Sequence, residues 1–286
     1  MKLTSPPRRI GRSRRQKKDS KRLHRFIEND LIRRVSYDEY RDKVQRVYGG
    51  PKGALLATCS MISLHIPLGK RIFRSRKFDL RGATRVLDVG SGAGQLASHV
   101  LQYCDPNASL VCTDLSHPML RRARHRLANQ QQADRAQPRK LRPEPWQGPQ
   151  AGTPVASRQA AAGKTCGTQV PPQFVAADLS QLPFADGSFD CITCGYVLEH
   201  LPNPEPGLAE MARVLQPGGR MFLLTTEDSF SGAWTSRFWY CRTYNRAELM
   251  RICERYDLIW KQELWFTRMH QAFRAGGICV EIVKRG

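Results

Sequence analysis

One ten-residue stretch constrains this chain more than any other: RVLDVGSGAG, residues 85–94. A short apolar run ends at Asp88, and Gly90, Gly92 and Gly94 follow at every second position. Such a run is short enough to be a buried strand, and the glycines predict a loop that opens a helix. Glycine lets the backbone of such a loop come close to a ligand. Two later runs repeat the device. SLVCTDLS ends its strand at Asp114, and QFVAAD ends its strand at Asp178. Strands alternating with helices predict an α/β fold with a mostly parallel, doubly wound, Rossmann-like sheet. In that fold the three acids share one crevice at the carboxyl edge of the sheet.

The rest of the chain fits the same scheme. PFADGSFD turns at Asp186-Gly187 and leads into a fourth strand, CITCGYV. Leu208, Met211, Ala212 and Leu215 have helical spacing, Pro217-Gly218-Gly219 is expected to end that helix, and RMFLLTT follows as a strand. Then come an aromatic loop, a helix near Arg246 to Arg255, and the strands LIWKQELWF and GICVEIV. Upstream, Phe26, Ile27, Leu31 and Val35 mark a helical face, Gly49-Gly50-Pro51 stops it, and a second helix is expected from about Lys52 to Ile66. The expected organisation is a disordered basic arm over 1–22, N-terminal helices over 23–84 that are a candidate substrate cap, and a main domain over 85–286. Within that domain, 129–172 is rich in Gln, Pro, Ala, Gly and Arg without a period, and reads as a disordered surface insertion.

Charge is concentrated in two places. The net charge is +21, but residues 1–26 supply +10 (eleven Lys/Arg, one acid) and residues 120–165 supply +8 (ten Lys/Arg, two acids). The remainder is nearly neutral, which argues against a core built as a nucleic-acid groove. The arm itself suits nucleic acid, an anionic membrane surface, or simple solvation. No apolar run is long enough for a membrane span. Nine cysteines without a framework spacing point to a reducing, cytoplasmic setting. Cys191 and Cys194 form one C-x-x-C inside an apolar strand, with no second pair to complete a zinc site, so no metal is expected.

Two ligand classes use a glycine loop of this kind. Gly92, Gly94 and Ala97 fit the dinucleotide pattern G-x-G-x-x-A, with Asp114 at the distance of a ribose carboxylate. Asp88 suits a ligand carrying an amino group and sits badly beside a pyrophosphate. The D-x-G-x-G-x-G order and the third acid, Asp178, point the same way, to S-adenosylmethionine. VLDVGSGAG, TDLS, VAADLSQLPFADGSFDCITCGYVLEHLPNP and LAEMARVLQPGGRMFLLT together resemble the class I S-adenosylmethionine-dependent methyltransferases. The likeness is to the small-molecule branch, methyltransferase type 11, that includes quinone-biosynthesis enzymes. The resemblance covers about 85–226, less the insertion. It implies a seven-stranded sheet with an antiparallel last strand. It also implies that Gly90, Gly92 and Gly94 cradle the methionine part, Asp88 orients its amino group, Asp114 with Leu115 takes the ribose, and Asp178 and Leu179 read the adenine. Gly195 and Tyr196 then lie near the methyl.

Methyl transfer from a sulfonium is an in-line displacement with a neutral leaving group, so alignment and water exclusion supply most of the effect. A base is needed only when the acceptor must lose a proton. Tyr196, Glu199 and His200 in YVLEHLPNP are the candidates for such work; read plainly, they are cap and packing residues before Pro202. Phe230, Trp234, Phe238, Trp239, Tyr240 and Tyr244 suit a flat or lipid-like acceptor, or an ordinary local core. The expected function is methyl transfer to a small or lipid-like acceptor. The alternative is an RNA or ribosome methyltransferase docking through residues 1–26. GYVLEH stands where a base-N-methylating enzyme would carry an Asn-Pro-Pro-Tyr type motif, which counts against it.

Overall fold

The computed structural model describes residues 65–136, 170–229, 241–273 and 277–286, with 38–39, 42, 46 and 232. The readings of the basic arm, of nearly all the helical stretch before His65, of 137–169 and of the aromatics from Phe230 to Tyr240 lie outside these residues.

The described chain runs α1 (His65–Arg74), β1 (Arg85–Val89), α2 (Gln95–Tyr103), β2 (Ser109–Asp114), α3 (His117–Ala136), β3 (Gln173–Ala176) and β4 (Phe189–Gly195). A 3-10 turn (Leu198–His200) follows, then α4 (Glu205–Val214), β5 (Leu215–Thr225), α5 (Arg246–Arg255), β6 (Leu258–Glu263), α6 (Arg268–Phe273) and β7 (Ile278–Lys284). The strands form one seven-stranded sheet in the order β3-β2-β1-β4-β5-β7-β6. The first five are parallel, and β7 runs antiparallel to both β5 and β6. The doubly wound sheet with an antiparallel last strand is therefore present.

Both faces of the sheet are buried, which is why the central strands read as continuous apolar runs rather than alternating ones. Val86, Leu110, Cys112, Phe222 and Cys279 face a layer made by α1, α2 and α3, through Phe73, Val100, Leu101 and Leu127. Leu87, Ile192, Met221, Leu223 and Val280 face the opposite layer, through Leu208 and Met211 of α4 and Leu249 and Ile252 of α5. Cys191 belongs to the first core and Cys194 to the second. Residues three apart on a strand point to opposite faces, so this pair cannot share a metal or a disulfide.

Four local readings change. α1 is helical to Arg74, past the expected end at Ile66. α3 runs to Ala136, eight residues into the expected insertion, because ANQQQADRA holds neither Gly nor Pro. Pro217-Gly218-Gly219 does not cap α4; it lies inside β5. Leu215 already pairs with Phe189, and the ladder resumes at Cys191 opposite Arg220, so the prolyl-glycyl segment is a bulge, with Gly218 at φ 74°. β3 stops at Ala176, so Asp178 lies just beyond a strand rather than at its end.

Candidate functional site

The site is built where β1, β2, β3 and β4 run out at their carboxyl ends. Gly90, Gly92 and Gly94 all have positive φ, at 61°, 53° and 79°. Two of them are also crowded. A Cβ on Gly90 would stand 2.3 Å from a methyl of Val197, and one on Gly94 would stand 3.0 Å from Cα of Ala123 in α3. The loop is fixed by its own backbone: Ser91 N–H donates to Thr113 O at 2.8 Å, and Gly94 N–H to Ser91 O at 2.8 Å.

Asp88 lies beside this loop, fully buried, and Thr193 stands opposite it in the β1–β4 register. The Thr193 hydroxyl donates to Asp88 Oδ1 at 2.5 Å, while Oδ2 is buried without a hydrogen-bond partner among the described residues. Burial, and to a lesser degree Asp114, push the carboxyl up to about 7, although the Thr193 and Ser91 side chains work against that rise. A buried carboxylate with one bare oxygen is costly unless something cationic or donating meets it. The donor set therefore fits an amino group.

Asp114 and Asp178 are held alike, since both begin the tripeptide Asp-Leu-Ser. Asp114 Oδ1 accepts from Ser116 N–H, and Asp178 Oδ1 from Ser180 N–H, each at 2.8 Å, which are Asx turns. Asp114 Oδ2 reaches back to Gly92 N–H at 2.8 Å and so ties β2 to the glycine loop. Burial raises its carboxyl above the ordinary value. Leu115 is half-buried and Leu179 buried. Ser116 adds a second orphan: its buried hydroxyl has no partner among the described residues.

The strip after β4 is the other wall. Gly195 is half-buried, and a Cβ there would stand 2.9 Å from Leu96. Tyr196 has φ 59°, a left-handed conformation that costs a bulky residue about 1–3 kcal/mol and clusters at functional sites. Burial, and then Glu199, hold its phenol well above its usual range. Glu199 does not open into the crevice. It is 2% exposed, and Thr225 and Thr226 hydroxyls donate to its two oxygens at 2.7 and 2.9 Å. Its carboxyl is pushed up to about 7 by burial. His200 is half-buried, and desolvation lowers it to about 4, so its imidazole is neutral near pH 7. The 3-10 turn between them is bolted down twice more. Arg242 N–H donates to Glu199 O at 2.7 Å, and the Tyr244 hydroxyl donates to Leu198 O at 2.7 Å. Tyr244, from the aromatic set, is thus a core residue of this wall.

The sequence reading missed Thr193, Thr225, Thr226 and Val197. Threonine and valine are ordinary strand residues; the β1–β4 register places Thr193 against Asp88, and the turn after β4 places Val197 against Gly90 and Glu199 against Thr225 and Thr226. Among the described residues no group of three or more His, Cys, Asp or Glu could hold a metal ion.

Two sequence profiles, each describing a methyltransferase domain, match residues 86–148 and 152–223. They meet the glycine loop, all three acids and the strip after β4. Over these residues the chain is similar to methyltransferase domains. Its curated relatives include the ubiquinone/menaquinone biosynthesis C-methyltransferase UbiE of Pseudomonas putida strain F1, 28% identical over 145 residues. The same enzyme of Pseudomonas fluorescens SBW25 is 29% identical over 145 residues. Each alignment covers 51% of this chain and 43% of the relative, so the chain spans less than half the length of the curated relatives it matches. Among solved structures, the mitomycin 7-O-methyltransferase MmcR aligns with a TM-score of 0.58 at 16% identity, over 95% of this chain and 68% of that one. A chain of the complex between the Haloferax volcanii Trm112 methyltransferase activator and a methyltransferase aligns with a TM-score of 0.52 at 16% identity, over 78% and 90%. These two likenesses bear on the fold alone.

Proposed function

We propose that the protein transfers a methyl group from S-adenosylmethionine to a small or lipid-like acceptor. The observation that carries this reading is the bare, buried Oδ2 of Asp88 beside three positive-φ glycines. In this reading Asp88 holds the amino group of the donor, and the backbone of Gly90, Gly92 and Gly94 cradles its amino-acid end. Asp114 with Leu115 takes the ribose, and Asp178 with Leu179 borders the adenine. When bound, S-adenosylmethionine supplies an electrophilic methyl. Gly195 and Tyr196 border the reacting end, where the absence of a side chain on Gly195 keeps room beside Leu96. Glu199 and His200 serve as positioning residues for this wall. Glu199 is enclosed by threonines, and a neutral His200 is compatible with proton removal only where the acceptor demands it. The quinone-biosynthesis relatives favour a small acceptor of that type over RNA.

Asp88 gives a direct test of donor binding. A cation beside its bare oxygen favours the ionised carboxylate, so binding releases the proton that the free protein holds up to about pH 7. Affinity for S-adenosylmethionine should rise about tenfold between pH 6 and pH 7.5–8. Asp88→Asn should weaken binding by about 10–100-fold and flatten that dependence. Isothermal titration across this range reads both, and a wild-type affinity independent of pH would remove Asp88 from the site.

The acceptor class is tested by incubating the protein with methyl-labelled S-adenosylmethionine and a cell extract, then separating organic-soluble, RNA and protein fractions. Label in the organic fraction is expected. Label confined to RNA would replace this reading with the RNA one.

A further inference from the structure

The two helix layers of this domain carry very different charge. In the layer α1–α2–α3, α1 contributes Lys70, Arg71 and Arg74 and no acid, and α2 has no Asp, Glu, Lys or Arg. α3 contributes Arg121, Arg122, Arg124 and Arg126 before its first acid, Asp134. The link from α1 to β1 adds Arg76, Lys77 and Arg81 against Asp79, which pairs with Arg81. In the opposite layer, α4 and α5 hold four acids (Glu205, Glu210, Glu248, Glu254) and four arginines (Arg213, Arg246, Arg251, Arg255). Several of these pair with one another, as in Glu210–Arg213 and Glu205–Arg255.

In the first layer cations outnumber acids among the described residues, and Asp79 lies near both Arg81 and Arg76. Arg71, Arg74, Arg76, Lys77, Arg121 and Arg124 are exposed. Three arginines of α3 meet uncharged groups: Arg126 donates to Ala93 O and Arg122 to the Met119 sulfur, and Arg124 lies over the Phe174 ring. Lys77 likewise donates to Trp265 O. In the sequence, residues 1–26 carry eleven Lys/Arg against one acid, and further basic residues follow Ala136.

We propose that the α1–α2–α3 layer docks the protein on an anionic lipid surface. Net charge on one face and balance on the other give the molecule a preferred face toward such a surface. Each basic residue near an anionic leaflet is worth about fivefold in partitioning. Among the described residues the layer offers no exposed Phe, Tyr or Trp ring for stacking bases: the exposed large apolar side chains are Val170, Met250, Ile259 and Met269, none on α1, α2 or α3. Contact is therefore with headgroups and without insertion. Arg126 fastens the basic face of α3 to the glycine loop, so the docked face borders the donor crevice. This proposal goes beyond the catalytic reading and does not depend on the acceptor.

The test is sedimentation of the full chain with vesicles of phosphatidylcholine alone or doped with phosphatidylserine, at about 0.1 M and about 1 M salt. Binding should require the anionic lipid and fall at high salt. Arg71→Glu with Arg121→Glu should lower partitioning by about a hundredfold. Arg251→Glu with Arg255→Glu, on the opposite face, should change it less than threefold. Thermal midpoints and S-adenosylmethionine titration confirm that both variants fold. Equal losses for the two variants, no preference for anionic vesicles, or binding to poly(U) that the first variant loses while vesicles bind neither protein would each overturn the proposal.

Discussion

Gly90→Ala should lower affinity for S-adenosylmethionine at least a hundredfold and lower stability by about 2–4 kcal/mol. Two costs add. Gly90 has φ 61°, which a Cβ disfavours by about 1–2 kcal/mol. The new Cβ would also fall 2.3 and 2.8 Å from the two methyls of Val197. Val197 is β-branched and stiff, and its neighbour Tyr196 already holds a left-handed conformation. Relief must come from shifting the strip after β4 or the glycine loop, and both line the proposed donor crevice. Gly82→Ala separates the terms. Its φ is 77°, but nothing lies within 4 Å of the added atom, so it should cost about 1 kcal/mol and leave binding intact. Adding Val197→Ala to Gly90→Ala should restore part of the affinity. Calorimetric titration and thermal midpoints decide the matter, and wild-type binding by Gly90→Ala would show that the loop does not approach the donor.

Glu199→Ala should destabilise the protein by about 3 kcal/mol, because Thr225 and Thr226 lose their buried acceptor and the turn carrying His200 loses its anchor to β5. Glu199→Gln should cost about 1 kcal/mol, since both hydroxyls can rotate to meet an amide. The two proteins should also differ in pH dependence. The folded-state value of Glu199 lies at about 7, above the ordinary carboxylate value, so the folded protein keeps a proton that the unfolded chain releases. The stabilisation this gives is full below the ordinary carboxylate range and is lost as pH rises to about 7, by about 3 kcal/mol in all. Wild type should therefore lose more stability than Glu199→Gln between pH 5 and pH 7.5. Asp88 adds a slope of the same sign, common to both proteins. Parallel thermal midpoints across that range would place Glu199 outside the buried network.

Chemistry that repeats locally was readable in advance. RVLDVGSGAG states a strand, an acid and a loop of left-handed glycines within ten residues, and all three acids lie at the carboxyl ends of β1, β2 and β3 or just beyond them. The failures were also local conflicts won by tertiary structure. Pro217-Gly218-Gly219 reads as a helix stop, yet Leu215 was already recruited into the sheet by Phe189, and the three residues became a bulge. The C-x-x-C, by contrast, was read as part of an apolar strand, and on β4 its two cysteines face opposite cores.

By itself the sequence determined the periodicity, the breakers and the acids: which segments are strands or helices, where the backbone needs glycine, and that three acids gather at one edge of the sheet. Each of these depends on residues within a few positions of one another. Only the tertiary structure decided what surrounds the acids. Asp88 is met by Thr193, 105 residues away, and is left with one bare oxygen. Glu199 is enclosed by Thr225 and Thr226, which makes it an anchor rather than a base facing the crevice. Protonation and reach depend on burial and on partners brought by strand register, and a threonine or valine in a strand pattern carries no mark of which carboxylate or glycine it will touch.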